Sequence, residues 1–253
     1  MTKMAVVQRF HINTRKDNGL KAFEICAKLQ QLCNKERART LQRFFKTGPG
    51  EYAEGDFFIG LQVPEIRKLA REYRELSLEE SVCLLQSHIH EARLMALFIL
   101  IHAYRQGDDS LQEQIYNLYL QNTRFINNWD LVDASAEHIV GAFLRYRDKT
   151  PLHDLAISPL LWDRRISIMA SFHYIKHSEF TETLQIAELL LLDQEDLIHK
   201  AVGWMLREIG KRNQHTEEVF LKRHYKSMPR TMLRYAIERF PELLRQQYLH
   251  GKI

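Results

Sequence analysis

The chain has 253 residues, of which 45% are hydrophobic, and it carries 36 Lys and Arg against 32 Asp and Glu. A formal net charge of +4 is too small to identify a polyanion-binding protein, so such a site would depend on how the charges are arranged. No apolar run approaches the ~18 residues of a membrane span. Cys26, Cys33 and Cys83 form no CxxC motif, which predicts a cytoplasmic protein with free thiols.

Helical periodicity runs through the chain, and no segment alternates as a strand does, so the predicted fold class is all-α. The segment 63–76 begins with Pro64 in its first turn, where the missing N–H is harmless. Asn127 and Asn128 are typical of a turn and a cap, which predicts a helix that starts at Trp129. In chain order, the predicted helices are 20–46, 63–76, 78–87, 91–105, 110–121, 129–146, 160–177, 180–192, 195–211, 216–225 and 230–249.

A weak repeat relates five of these helices, and another predicted helix lies between successive members in three of the four intervals. The anchor positions of the repeat, 34 to 36 residues apart, are Arg93, Trp129, Arg165, Lys200 and Arg234. Two helices in each unit of this length predict a right-handed α-solenoid of HEAT-like repeats. The predicted organisation is a single domain over 1–253, with the repeats at about 40–245 and an N-terminal extension over 1–20.

The repeat also assigns side chains to a face, because residues four apart on a helix project together. Four positions after the anchors stand Leu97, Asp133, Met169, Trp204 and Glu238. One cation in four of five repeats, with indoles and one carboxylate between them, fits a concave basic groove that follows a phosphate backbone. The simpler alternative is that each arginine is solvated, each tryptophan is core, and Asp133 pairs with a nearby arginine.

The remaining motifs carry little chemistry. The glycine-rich segment 47–55 lacks the ending of a phosphate-binding P-loop, and we interpret it as a connection between helices. Trp162 is expected to serve packing. His173 and His177 are four residues apart without the glutamate of a zinc-protease motif. We therefore expect no metal and no cofactor.

Three blocks of the sequence resemble AlkD-type DNA alkylation repair proteins, over about 40–245. The blocks are Asn128-Trp129-Asp130-Leu131-Val132-Asp133, Leu161-Trp162-Asp163-Arg164-Arg165 and the segment 198–208, IHKAVGWMLRE. The resemblance implies a HEAT-like DNA glycosylase that excises N3- and N7-alkylated purines. It implies that Asp133 is the catalytic aspartate, with Trp129, Trp204 and Arg165 beside it in the active site. Phe44 falls where the family has a tyrosine, which implies the loss of a hydroxyl contact.

The expected partner is alkylated double-stranded DNA, bound by a monomer that is associated with the nucleoid in a bacterial-type cytoplasm. The residues expected to contact this DNA outside the catalytic set are Arg93, Lys200, Arg207, Arg234 and Phe44. Since no nucleophilic lysine is needed, we expect a monofunctional enzyme, and the resemblance implies that it does not flip the base into a pocket. Two alternatives stay open: a non-catalytic protein that binds branched or distorted DNA, and a HEAT-type scaffold for other proteins.

Overall fold

The computed structural model describes Gly19 and residues 21–253, and these residues form an all-α fold without a β-sheet. Most of the predicted N-terminal extension therefore lies outside the described residues. The helices are α1 (Ala22–Gln31), α2 (Lys35–Phe44), α3 (Val63–Glu72), α4 (Leu78–Leu85), α5 (His90–Gln106), α6 (Asp109–Gln121), α7 (Trp129–Ala136), α8 (Ala142–Leu144), α9 (Thr150–Ala156), α10 (Leu161–Ala170), α11 (Phe172–Lys176), α12 (Thr181–Leu189), α13 (Asp196–Gly210), α14 (Gln214–His224), α15 (Arg230–Ala236) and α16 (Glu242–Leu249).

The helices pack in two layers. In the first layer α3, α5, α7, α10, α13 and α15 each contact the next one in chain order. Helices α4, α6, α9, α12 and α14 pack behind them and make up the second layer. All five anchor positions lie on first-layer helices, so the unit of two helices is confirmed. The right-handed superhelix, the concave groove and the single domain stay predictions.

Several helix boundaries differ from the predicted ones. The predicted helix 129–146 contains a π-helical turn over Glu137–Gly141, between α7 and α8. The predicted helix 230–249 ends near Pro241, because proline has no N–H to continue the helical bonding. Helix α9 was not predicted, since seven residues are too few to show a helical period. Among the described residues, no helix is both long enough and apolar enough to cross a bilayer.

Close helix contacts within the first layer depend on two glycines. A Cβ atom at Gly141 would lie 2.1 Å from the carbonyl oxygen of Ala170, and one at Gly203 would lie 2.4 Å from that of Met232. Both distances are far below van der Waals contact, so any larger residue would push neighbouring helices apart. A continuous apolar core runs between the layers from α1 to α16.

Glu217 on α14 is an acid without a partner inside this core. Its side chain is almost fully buried, and its Oε1 atom has no hydrogen-bond partner. Burial, assisted by the charge of Glu218 and opposed by that of Arg207, raises the pKa of Glu217 to about 8. The carboxyl group is therefore protonated in the folded protein at neutral pH, whereas it ionises in the unfolded chain.

We predict that Glu217→Gln stabilises the protein in a pH-dependent way. Between pH 4.5 and about 8 the unfolded chain releases a proton that the folded chain retains, so wild-type stability falls as pH rises through this window. The variant should be more stable than wild type by a few kcal/mol at pH 8, on the order expected from the shift. This gap should close towards pH 5, as measured by urea unfolding. A gap that does not change with pH, or an equal effect from the exposed control Glu113→Gln, would contradict the assignment.

Candidate active site on helices α7, α10 and α13

Trp129 begins α7 as expected, and Asp133 follows one turn later. The Asn128 Oδ1 atom accepts a hydrogen bond of 2.8 Å from the Trp129 backbone N–H. Asn128 itself is fully buried, and its Nδ2 atom donates to Asp56 Oδ2 over 3.0 Å. The start of α7 is therefore attached to a side chain 72 residues away in the sequence.

Asp56 is the centre of a buried polar network. His90 Nδ1 lies 3.1 Å from Asp56 Oδ2, and Arg93 Nη2 donates to Asp56 Oδ1 over 2.6 Å. Burial alone would raise the pKa of Asp56, but the hydrogen bonds from His90 and Asn128 and the charge of Arg93 hold it below the usual value. The network continues to the exposed side of α7, where Asp130 Oδ2 lies 2.8 Å from His90 Nε2.

The ring of Trp129 is enclosed on three sides. It stacks on Phe45 with ring centres 5.1 Å apart, and it meets Phe44 edge to face at 6.1 Å. Its Nε1–H donates to the hydroxyl oxygen of Tyr52 over 3.2 Å. Phe44 is 63% exposed, so it extends the aromatic surface of Trp129 towards solvent.

The segment 47–55 is more than a connection, which corrects our interpretation of it. Gly50 and Gly55 adopt positive φ angles of 75° and 83°, and the Glu51 and Glu54 carboxylates accept bonds from backbone N–H groups of the same segment. The resulting ordered loop brings Tyr52 against both Trp129 and Trp162, the latter with ring centres 6.1 Å apart. A phenol hydroxyl is therefore present beside Trp129, although Phe44 lacks one.

Asp133 is held by Arg165 of the next first-layer helix. The Nε and Nη2 atoms of Arg165 donate to the two carboxylate oxygens over 2.9 and 2.8 Å. Burial raises the pKa of Asp133 above the usual value, although the charge of Arg165 and its hydrogen bonds oppose the shift. The Asp133 side chain stays 16% exposed, whereas that of Arg165 is 5% exposed and also donates to the Leu197 carbonyl.

Trp204 lies on α13, two helices along the layer from Trp129. Its ring packs near Phe172, with centres 6.1 Å apart, and its Nε1–H donates to Glu208 over 3.2 Å. The candidate site thus takes Trp129 and Asp133 from α7, Arg165 from α10 and Trp204 from α13.

Comparison with known proteins gives the family. The family model described as "DNA alkylation repair enzyme" matches residues 25–240. The chain belongs to the DNA alkylation repair enzyme family. A solved structure described as a predicted DNA alkylation repair enzyme from Enterococcus faecalis is similar, with a TM-score of 0.64 and 18% identity over 83% of this chain and 97% of that one. AlkD2 from Streptococcus mutans has a TM-score of 0.52 and 18% identity over 88% and 100%. No curated protein sequence matches.

Three of the four cations in the predicted row, Arg93, Arg165 and Lys200, form ion pairs in this DNA alkylation repair family member. Arg93 is 5% exposed and paired with Asp56, so it cannot reach DNA in this structure. Arg207 pairs with Glu238, and Lys200 lies 2.6 Å from Asp196. Only Arg234 among the predicted DNA contacts of the described chain is an exposed cation without an ion pair. Leu97 and Met169, which stand four positions after the anchors Arg93 and Arg165, are buried in the core.

Other basic side chains of this family member, not singled out from the sequence, lie together beside α7. They share a small cleft between α3, α5 and α7 and are Arg67, Arg71, His102, Arg105 and His138. The spacing of Arg67 and Arg71 on one face of α3 was visible in the sequence, but their meeting with residues of α5 and α7 depends on the fold.

We predict that Tyr52→Phe shifts the NMR signal of one tryptophan Nε1–H group in this family member. The chain has three tryptophans, which give three Nε1–H cross-peaks in a ¹H–¹⁵N correlation spectrum. The Trp129 peak should shift upfield in its proton dimension because its acceptor is lost, while the Trp162 peak stays, since the phenyl ring remains. Tyr73→Phe, whose hydroxyl binds Lys28 instead, is the matched control. An unmoved Trp129 peak would refute the hydrogen bond.

Proposed function

We propose that the protein is a DNA glycosylase that hydrolyses the N-glycosidic bond of cationic N3- and N7-alkylated purines in duplex DNA. The observation that carries the proposal is Asp133, a mostly buried carboxylate whose side chain stays 16% exposed and which follows Trp129 by four residues on α7. Membership of the DNA alkylation repair enzyme family supports the substrate class.

The chemistry requires little beyond these groups. An N3- or N7-alkylated purine is already positively charged and departs without strong acid assistance, so the barrier is the developing oxocarbenium charge on the sugar. An ionised Asp133 stabilises this charge and orients the attacking water. The faces of Trp129 and Trp204 favour a cation through their π electrons. The lesion base then need not enter a pocket.

Arg165, which the resemblance implies is an active-site residue, has an indirect role in this proposal. Its Nε and Nη2 atoms are engaged by Asp133, and its Nη1 atom by a backbone carbonyl. Because the guanidinium counteracts the effect of burial, it favours the ionised carboxylate that catalysis needs. Arg165 thus acts on the substrate through Asp133, and phosphate binding falls to other residues.

The proposed enzyme is monofunctional. Lys200 lies close enough to Tyr52 for its charge to oppose the rise in the pKa of Tyr52 that burial causes. A hydrogen bond and ion pair with Asp196 raise the pKa of Lys200 itself, so its amine is protonated at neutral pH. A protonated amine cannot attack the sugar carbon, so no strand cleavage should follow base release.

A second candidate function is DNA binding without catalysis. The observation in its favour is the two-bond pairing of Asp133 with Arg165, which is also the geometry of a structural ion pair between helices. Under this alternative the protein binds branched or distorted DNA, and Asp133 serves only to hold α7 against α10.

We predict that wild-type protein releases N3-methyladenine and N7-methylguanine from methylated duplex DNA, and that Asp133→Asn lowers the single-turnover rate by roughly 10²–10³-fold. Released bases are measured by chromatography after subtraction of spontaneous depurination. The control is Asp109→Asn, which replaces an exposed residue of α6 and should retain the wild-type rate. Tight DNA binding with equal release by wild type and Asp133→Asn would favour the second candidate.

We predict an acid limb in the pH profile of excision. Since the pKa of Asp133 is raised, the rate should fall as pH decreases, and should begin to fall above the ordinary aspartate value of 3.8. Arg165→Gln removes the charge that opposes burial, so the limb should move to higher pH, whereas Arg165→Lys should move it less. The single-turnover rate on an N7-methylguanine duplex measures this. An Arg165→Gln profile with an unmoved acid limb would show that the pair does not control ionisation.

A further inference from the structure

The cleft between α3, α5 and α7, here called the arginine cleft, is a concentration of positive charge next to the candidate site. It has a volume of about 240 Å³, and its basic lining consists of Arg67, Arg71, His102, Arg105 and His138. Ala134 also lines it, and this residue directly follows Asp133 on α7. The cleft therefore opens within one residue of the proposed catalytic carboxylate.

The three arginines of the cleft have no carboxylate partner among the described residues. Arg67 rests over the ring of Phe98 at 4.8 Å, and Arg105 Nη2 lies 3.3 Å from His138 Nδ1, while Arg71 is exposed and makes no recorded side-chain bond. Several arginines elsewhere do pair with an acid, as in Arg37–Glu65, Arg93–Asp56, Arg145–Glu179, Arg164–Asp193, Arg165–Asp133 and Arg207–Glu238.

One acid beside this cluster is already neutralised. Glu137 lies next to His138 in the π-helical turn, and Lys176 of α11 donates to it over 2.5 Å. Burial lowers the pKa of His138, with Arg105, Lys176 and Arg67 acting in the same direction and Glu137 against them. His138 is therefore neutral at neutral pH and can accept from Arg105, which orients that guanidinium.

Like charges held together without a counter-ion repel, and an anion that enters between them removes the repulsion. The planar fork of a guanidinium matches the oxygens of a phosphate group in two-bond geometry. The volume is below the roughly 300 Å³ at which pockets for whole small molecules begin, so the cleft suits phosphate groups rather than a nucleoside.

We propose that the arginine cleft binds one or two phosphodiester groups of duplex DNA and so sets the register of the strand whose sugar faces Asp133. This inference rests on the proposed function for the identity of the polyanion. The cleft takes the place of the predicted cation row, whose members Arg93 and Arg165 are buried in ion pairs. Phosphate binding in the arginine cleft requires neither an alkylated base nor catalysis, because phosphate contacts are independent of base identity.

The test is the salt dependence of binding to an undamaged duplex, measured by fluorescence anisotropy over a KCl series. Each phosphate contact contributes about 0.9 to the slope of log affinity against log salt. The triple variant Arg67→Gln, Arg71→Gln, Arg105→Gln should lower the slope by about 1 to 2 and weaken binding at least about tenfold at moderate salt. The control is Arg223→Gln, which replaces an exposed residue of the second-layer helix α14 and should match wild type.

Folding is checked by the melting temperature. Removing mutually repelling charges should leave the Tm of the triple variant equal to or above that of wild type. If the triple variant unfolds, the salt slope of the single variant Arg71→Gln tests the proposal instead. The Arg71 side chain is exposed and makes no side-chain hydrogen bond or ion pair among the described residues, so its replacement should not unfold the protein. A wild-type salt slope in the triple variant, or in Arg71→Gln if only that variant folds, would overturn the proposal.

Failure of this inference can be told apart from failure of the proposed function. The salt slope reports on the arginines of the cleft, whereas excision reports on Asp133. Asp133→Asn should keep a wild-type salt slope while it loses excision, because this variant leaves the arginines of the cleft in place. If neither wild type nor any variant excises bases but the slope still falls in the triple variant, the cleft stands and the glycosylase does not.

Discussion

The buried carboxylate of Asp56 receives hydrogen bonds from His90 and Arg93 on α5 and from Asn128 at the start of α7. These bonds join three parts of the chain that are far apart in the sequence, and they determine where Trp129 emerges. Removing Arg93 would leave the buried carboxylate without its arginine counter-charge, at a typical cost of about 3–5 kcal/mol. The loop that carries Tyr52 ends directly before this residue, so the same carboxylate also determines where the phenol meets the indole.

Ion pairs with acids that come earlier in the chain account for the burial of two arginines of the predicted cation row. Arg93 pairs with an acid 37 residues earlier, and Arg165 with an acid 32 residues earlier. Each arginine therefore ties its helix to a residue earlier in the chain and does not project into solvent. The simpler alternative for Asp133, a pair with a nearby arginine, proved correct in geometry. Such a pair can still serve catalysis, since it holds the carboxylate in place and ionised.

The sequence was sufficient for the all-α class, the unit of two helices and the start of α7, because each helix shows its own apolar face and cap. It was not sufficient for contacts between helices. Periodicity assigns no place to the loop 47–55, whose position beside Trp129 depends on glycine backbone angles and on Tyr52. The arginine cleft requires three helices to meet, and nothing in the spacing within any one of them shows that its arginines lack acids.

The central claim is that Asp133 and the indole of Trp129 stabilise positive charge on a sugar in duplex DNA. The most direct measurement compares two duplexes that differ at one position, which carries either a cationic pyrrolidine or a neutral tetrahydrofuran in place of the nucleoside. A site complementary to the transition state should bind the cationic duplex at least about tenfold more tightly. Asp133→Asn should abolish this preference while it still binds the neutral duplex. Equal affinity of wild type for both duplexes, or a preference that survives in Asp133→Asn, would contradict the account.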